Sequence, residues 1–223
     1  MPRKTDPPDL QFEIGLWDNG LRLVAGLDEA GRGALAGPVA VGAVILPPDP
    51  HLSGTLAGVR DSKQMTPIQR DLCAPLIQEV ALAWSVAYAS HAEIDRLGIV
   101  PATRLAGMRA LEALIPQPTF LLTDFRLELP ESELPQISLP KGDARCLSIA
   151  AASVLAKTTR DALMRELDGQ YPGYGLGQNK GYGTQAHRFA LKRLGYSSIH
   201  RKSFSLRNYL TKLRLKPTSV TKL

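Results

Sequence analysis

The sequence predicts an α/β fold with a central mixed sheet flanked by helices and a helical, basic C-terminal part. Three observations lead there. Short apolar segments, rich in Val and bounded by Gly or Pro, fill the first part of the chain as buried strands do. The stretch from Ala144 to Leu167 contains neither Gly nor Pro. Strands come first and helices accumulate late, an order that favours one mixed sheet.

Taken in order, residues 21–27 (LRLVAGL) and 38–46 (PVAVGAVIL) read as buried strands. Residues 67–80 read as a helix, with Pro67 in the first turn, where a missing N–H costs nothing. Residues 81–89 (ALAWSVAYA) are a third strand. Pro101 opens and Pro116 closes an Ala/Leu-rich helix over 101–114. Residues 119–123 (TFLLT) are a fourth strand and 136–139 a weaker fifth. The long helix, 144–167, places Ile149, Ala152, Leu155 and Ala156 along one apolar face. A last helix, 184–194, has Thr184 as its N-cap and Gly195 just past its end. Residues 1–20 are expected to be a flexible extension, 21–205 one domain that includes the helical part, and 206–223 a basic tail.

Of the 223 residues, 44% are hydrophobic and 22% charged, which is enough for a core and argues against general disorder. The longest apolar run, from Leu35 to Leu46, is interrupted by Gly37, Pro38 and Gly42 and falls short of the ~18 residues a membrane span needs. No apolar segment follows the first basic residues, so the N-terminus lacks the pattern of a secretory signal, and a cytoplasmic location is expected. Cys73 and Cys146 are too few and too far apart for a disulfide framework or a zinc knuckle and read as buried thiols.

Charge divides the chain. The net charge is +6, yet no acidic residue follows Asp168, and residues 169–223 hold eleven basic ones. The remaining 16 basic and 21 acidic side chains make residues 1–168 net negative, at −5. A basic end on a mildly acidic body suits a polyanionic partner, because Lys and Arg contacts to phosphate carry the sequence-independent share of nucleic-acid affinity. A solvated basic surface without a partner is the plainer alternative.

The placement of carboxylates says more. Asp28 and Glu29 follow the apolar strand 21–27 and precede Gly31-Arg32-Gly33, where the backbone must turn. Adjacent strand residues face opposite ways, so this pair can share a site only where the pleat ends. Asp124 closes the apolar segment FLLT in the same manner. Asp143, after Lys141-Gly142, precedes the long helix and could equally be its N-cap. If the two strands are neighbours, three or four carboxylates converge, and their mutual repulsion raises their pKa values unless cations intervene. An all-oxygen cluster without Cys or His suits Mg²⁺ or Mn²⁺, and such ions bind phosphate oxygens. The chemistry implied is phosphoryl transfer to water, one ion activating the water and a second stabilising the leaving oxygen.

Other signals are weaker. GRGALAG spaces its glycines as GxGxxxG, and no Gly-Lys-Ser/Thr follows, so a nucleotide loop is excluded. The segment 171–184 (YPGYGLGQNKGYGT) is either a tight loop held by packed tyrosines or a surface where a ring meets a sugar or base while Lys180 and backbone amides hold phosphates. His51, His91, His187 and His200 show no ligand spacing, and no Ser/His/Asp order stands out.

Together these residues resemble a known family. Gly26-Leu-Asp-Glu-Ala-Gly-Arg-Gly33, followed by Leu35-Ala-Gly-Pro-Val39, is similar to the opening motif of type 2 ribonucleases H, the bacterial ribonuclease HII family. The blocks Asp61-Ser62-Lys63, Glu93-Ile94-Asp95, Lys141-Gly142-Asp143, Ser148 to Ser153 with Ala156-Lys157, Lys180 to Thr184, and His200-Arg201 with Ser203-Phe204 follow in the family's order, from about Arg22 to Phe204. Ribonuclease HIII resembles the chain less. The resemblance implies an RNase H-like domain over 21–205 that cleaves the RNA strand of RNA–DNA hybrids, including single ribonucleotides embedded in DNA, and leaves 3′-hydroxyl and 5′-phosphate ends. It implies Mn²⁺ or Mg²⁺ held by Asp28, Glu29, Asp124 and Asp143. It further implies that backbone groups of Gly31, Arg32 and Gly33 read the 2′-hydroxyl, that Tyr182 stacks on the sugar beside the junction, and that Lys63, Ser148, Ser153 and Lys157 contact backbone phosphates. A monomer is expected.

The chain departs from the family pattern at Ala34, where proline is common, at Phe125, where glycine is usual after the third acid, and at Asn179, a frequent histidine. Phe125 bears on the bend after Asp124. Glu128, Glu131 and Glu133 in the following loop read as solvated charges. A non-catalytic nucleic-acid binding protein, with structural acids and a basic tail for affinity, is the alternative from another class.

Overall fold

The computed structural model describes residues 7–204, so the expected basic tail 206–223 lies outside the described residues. The chain runs α1 (Gln11–Asp18), β1 (Val24–Ala30), β2 (Val39–Ile45), α2 (Leu52–Thr55), α3 (Pro67–Val80), β3 (Ala83–Ala89), α4 (His91–Leu97), α5 (Ile99–Glu112), β4 (Phe120–Asp124), β5 (Gln136–Leu139), α6 (Leu147–Gln170), α7 (Leu176–Asn179) and α8 (Gln185–Leu194). A single sheet of order β3-β2-β1-β4-β5 results. The pairs β1/β2 and β2/β3 are antiparallel, and β1/β4 and β4/β5 are parallel, so the sheet is mixed as expected.

Both faces of the sheet are covered, which explains why the strands read as continuous apolar runs. Val24, Val44 and Leu122 pack with Ile149, Ala152 and Leu155 of α6 on one face. Ala25, Leu27, Val41 and Ala43 pack with Ala102, Ala106 and Ala110 of α5 on the other. Small residues bring α6 very close. A Cβ at Gly26 would run into the backbone of Ser148 and Ile149, and one at Gly42 into that of Ala152. A third cluster, formed by Leu35, Ala36, Met164, Tyr174, Leu176, Leu191 and Ile199, joins the loop after β1 to the C-terminal helices.

The N-terminal segment departs from expectation. Over residues 7–20 the chain is not a flexible extension but carries α1, with Leu10 and Trp17 buried in the α6-side core. The reason lies at the start of α6, whose first amides need acceptors. Asp9 O accepts the Leu147 amide and the Glu13 carboxylate accepts that of Ser148, both at 2.8 Å. The extension thus caps the long helix from outside. Asp143 does not; it sits in a single 3₁₀ turn, Gly142–Ala144, ahead of the helix. The cysteines also differ from one another, since Cys146 is buried and Cys73 only half-buried.

Two of the motif blocks hold the C-terminal part. Glu93 closes a capping box with Ser90 at the start of α4. Asp95 accepts the amides of Lys202 and Ser203, each at 2.9 Å, and the Ser203 hydroxyl at 2.6 Å.

Candidate active site

Strand β1 extends to Ala30, so Asp28 and Glu29 lie inside it rather than after it. Their faces follow from alternation. Val24 faces α6 while Ala25 and Leu27 face α5, which puts Asp28 on the α6 side and Glu29 on the other. Two features let them share a site. Asp28 Oδ1 accepts the Glu29 amide at 2.8 Å, which draws that carboxylate along the strand, and the longer Glu29 side chain reaches the same end of the sheet. The neighbouring strand supplies the third acid. Leu27 pairs with Thr123 in the parallel ladder, and the next residue on each strand is an aspartate. Carboxylate oxygens of Asp28, Glu29 and Asp124 all lie within 4.8 Å of one another.

Asp124 is held in place despite Phe125. Its Oδ1 accepts the Gly142 amide at 2.9 Å. The turn that follows is closed by Phe125 N–H to Leu139 O at 3.0 Å and Leu127 N–H to Asp124 O at 2.8 Å. The Phe125 ring itself projects into solvent, 64% exposed.

Burial sets the electrostatics of the cluster. It pushes the Asp28 carboxyl well above the usual range, with Glu29 adding to the rise and the Ser153 hydroxyl opposing it. Burial also raises Glu29; Arg32, 3.8 Å away, works against that and Asp124 with it. Asp143 is raised by burial and by Asp61. At Lys63 burial disfavours the charged form, but Asp28, Asp143 and Asp61 outweigh it and the pKa rises. Among the described residues, one oxygen each of Asp28 and Glu29 is buried without a hydrogen-bond partner. Orphaned, crowded carboxylate oxygens with no Cys or His among them match what a hard divalent cation requires.

A cleft of about 1200 Å³ opens over this end of the sheet, lined by Glu29, Gly31, Arg32, Gly33, Lys63, Asp124, Asp143, Lys157 and Tyr182 among others. Asp143 stands in it outside the three-acid cluster, its Oδ2 3.4 Å from Lys63 Nζ. Lys157 Nζ bonds Asp161 at 2.7 Å and lies 5.2 Å from the centre of the Tyr182 ring.

Two expected phosphate contacts are corrected. Ser148 is fully buried beneath Gly26, with its hydroxyl 3.3 Å from Cys146 Sγ, because the close approach of α6 to β1 seals it off. Ser153 is also buried, sharing a 2.8 Å hydrogen bond with Ser62 below Asp28. Neither residue lines the cleft. Conversely, Asp61, Phe125, Arg126 and Phe204 line the cleft without having been singled out for it. Asp61 and Phe204 belong to motif blocks already noted; Phe125 and Arg126 sit on a turn whose sequence carries no such signal.

The ribonuclease HII family model matches residues 25–207. The chain belongs to the ribonuclease HII family. It is 50% identical to a ribonuclease HII of Dehalococcoides mccartyi over 199 residues, 89% of this chain and 93% of that one. It is 52% identical to the ribonuclease HII of Thermus thermophilus over 194 residues, 87% and 91% of the two chains. The crystal structure of ribonuclease H2 from Pyrococcus horikoshii superposes with a TM-score of 0.69 at 26% identity, covering 85% of this chain and 97% of that one. The chain is therefore a metal-dependent ribonuclease H, an endonuclease that hydrolyses the RNA strand of RNA–DNA hybrids, on an RNase H-like fold. Among the described residues no helix is long and apolar enough to cross a membrane.

Proposed function

We propose that this enzyme also cuts at single ribonucleotides embedded in DNA, by two-metal-ion hydrolysis that leaves 3′-hydroxyl and 5′-phosphate ends. The observation that carries the reading is the meeting of Asp28, Glu29 and Asp124 within 4.8 Å, with two of their oxygens buried and unpartnered, beside a loop whose backbone faces the cleft.

Asp28, Glu29 and Asp124 would hold one ion, Mn²⁺ or Mg²⁺, and Asp143 with its share of that cluster a second. Bound there, the ions supply an activated water and charge neutralisation at the leaving oxygen. The chain's own groups do the rest. Ser153 and Ser62 support Asp28 from below, and the Gly142 amide orients Asp124. Lys63 and Lys157 bring positive charge to the strand on either side of the scissile phosphate. Amides of Gly31, Arg32 and Gly33 meet the 2′-hydroxyl, the group that separates RNA from DNA, and Tyr182 packs on the adjoining sugar. Both cysteines are unpaired, which accords with a cytoplasmic location.

The test is cleavage of a DNA duplex containing one ribonucleotide, with and without metal. Wild type should cut it with Mn²⁺ or Mg²⁺ at a phosphodiester adjoining the ribonucleotide and leave the ends named above. Asp124→Asn should lower turnover at least ~10²-fold, the scale of losing one preorganised electrostatic group, while binding stays within about threefold because basic groups hold the duplex. A wild-type protein that binds this duplex and never cuts it would refute the proposal and leave a binding module.

A further inference from the structure

Behind the loop that faces the cleft lies a fully buried cation, Arg201. Each of its three guanidinium nitrogens donates to a backbone carbonyl of one short segment. Nη2 bonds Gly31 O at 2.8 Å, Nη1 bonds Arg32 O at 2.9 Å, and Nε bonds Gly37 O at 3.0 Å. Among the described residues no carboxylate shares in this arrangement, so a desolvated charge has been spent entirely on orienting peptide oxygens.

Peptide geometry turns that contact into a statement about the other side of the loop. The carbonyl of Gly31 and the amide of Arg32 belong to one planar trans unit and point in opposite directions, as do the carbonyl of Arg32 and the amide of Gly33. Two carbonyls pulled inward onto Arg201 therefore aim two N–H groups outward. Outward is the cleft, which Gly31, Arg32 and Gly33 line. Among the described residues the amides of Arg32 and Gly33 donate to no protein acceptor. The guanidinium also polarises both peptide units from behind, which strengthens the outward donors.

Resting on the reading of residues 31–33 as the ribose reader, we infer that Arg201 is a positioning residue for ribose recognition: it presets two backbone donors for a 2′-hydroxyl oxygen and so sets the preference for ribose over deoxyribose. It touches no substrate itself. Asp95 supports it from the far side, because its carboxylate holds the amides of Lys202 and Ser203, the two residues that follow Arg201.

The readout is the ratio of affinities for a one-ribonucleotide DNA duplex and the same duplex in all-DNA form, measured without divalent metal so that nothing is cut. A loss of general stability or of phosphate contacts would weaken both complexes alike and leave the ratio unchanged. Arg201→Lys keeps the charge but loses the planar fork. It should lower the ratio about tenfold, the equivalent of ~1.4 kcal/mol, through the ribonucleotide complex alone. Asp95→Asn, which leaves the buried cation in place, should lower it about threefold and decides the matter if the lysine variant does not fold. An unchanged ratio in a folded variant overturns the role of Arg201. A wild-type enzyme with no preference overturns instead the assignment of the loop on which the inference rests.

Discussion

Two buried polar clusters flank the loop at Gly31, and they are built in opposite ways. On one side Asp28, Glu29 and Asp124 crowd like charges together and leave buried oxygens without partners. On the other, Arg160 and Arg201 lie fully buried with a carbonyl for every guanidinium nitrogen. The acid cluster leaves hydrogen-bonding capacity unfilled. The arginine cluster is complete and holds the loop still. Burial of charge alone distinguishes neither; whether the hydrogen-bonding capacity is filled does.

The difference can be tested by removing charge from each side. The largest effect belongs to Arg160→Met. It leaves the carbonyl of Ala36 buried, and those of Pro38 and Lys180 half-buried, without their donors, at a cost of about 1–3 kcal/mol each. Taking the low end, the thermal midpoint should fall by roughly 6–12 °C at ~2–4 °C per kcal/mol. A melting point within two or three degrees of wild type, about one kcal/mol on that scale, would show the clamp to be dispensable.

Next in size is the response of the acid cluster to metal. Adding Mn²⁺ or Mg²⁺ at about 100 times its dissociation constant should stabilise the protein by ~2.7 kcal/mol, and chelation should reverse this. Asp124→Asn should abolish most of that shift in differential scanning calorimetry, since two acids remain where three met. A shift of equal size in that variant would place the ion elsewhere.

The smallest effect concerns the neighbouring histidines. His187 and His200 are buried with their Nε2 atoms 3.1 Å apart, and burial lowers both, His200 to about 4, with His187 adding to that fall. An imidazole whose folded pKa lies below its unfolded value of ~6.5 binds protons preferentially in the unfolded chain. Stability from this pair is thus fully present above pH ~6.5 and is lost as pH falls toward about 4. His200→Phe should flatten the profile over that window in a denaturant titration. It leaves the acid cluster untouched, so the metal-induced shift at pH 7 should survive.

How much of this could be read from residues alone depended on the range of the interaction. Helix α3 begins and ends where predicted because Pro67 and the Thr66 capping box are local signals. Thr184 caps α8 as read, its hydroxyl accepting the His187 amide. The sheet strands appear from composition, within about three residues at their ends. The start of α6 was misplaced because what caps it, Asp9 and Glu13, lies far away in the chain. Short α4 and α7 went unseen, since one or two turns carry too little periodicity. For the site, apolar strand ends with acids pointed to Asp28, Glu29 and Asp124, whereas a serine in a motif gave no sign of whether it would face the cleft or the core.

Residue order determined, by itself, the α/β class, the oxygen-only character of the acid cluster and the family, because those rest on local pattern and side-chain chemistry. Only tertiary structure decided that β1 and β4 are parallel neighbours carrying aspartates at matched positions, that Ser148 and Ser153 lie sealed beneath them, and that Arg201 reaches back to Gly31. The physical reason is that hydrogen bonds and helix-to-sheet closeness across such sequence separations depend on how layers stack, and stacking leaves no trace in any short window of sequence.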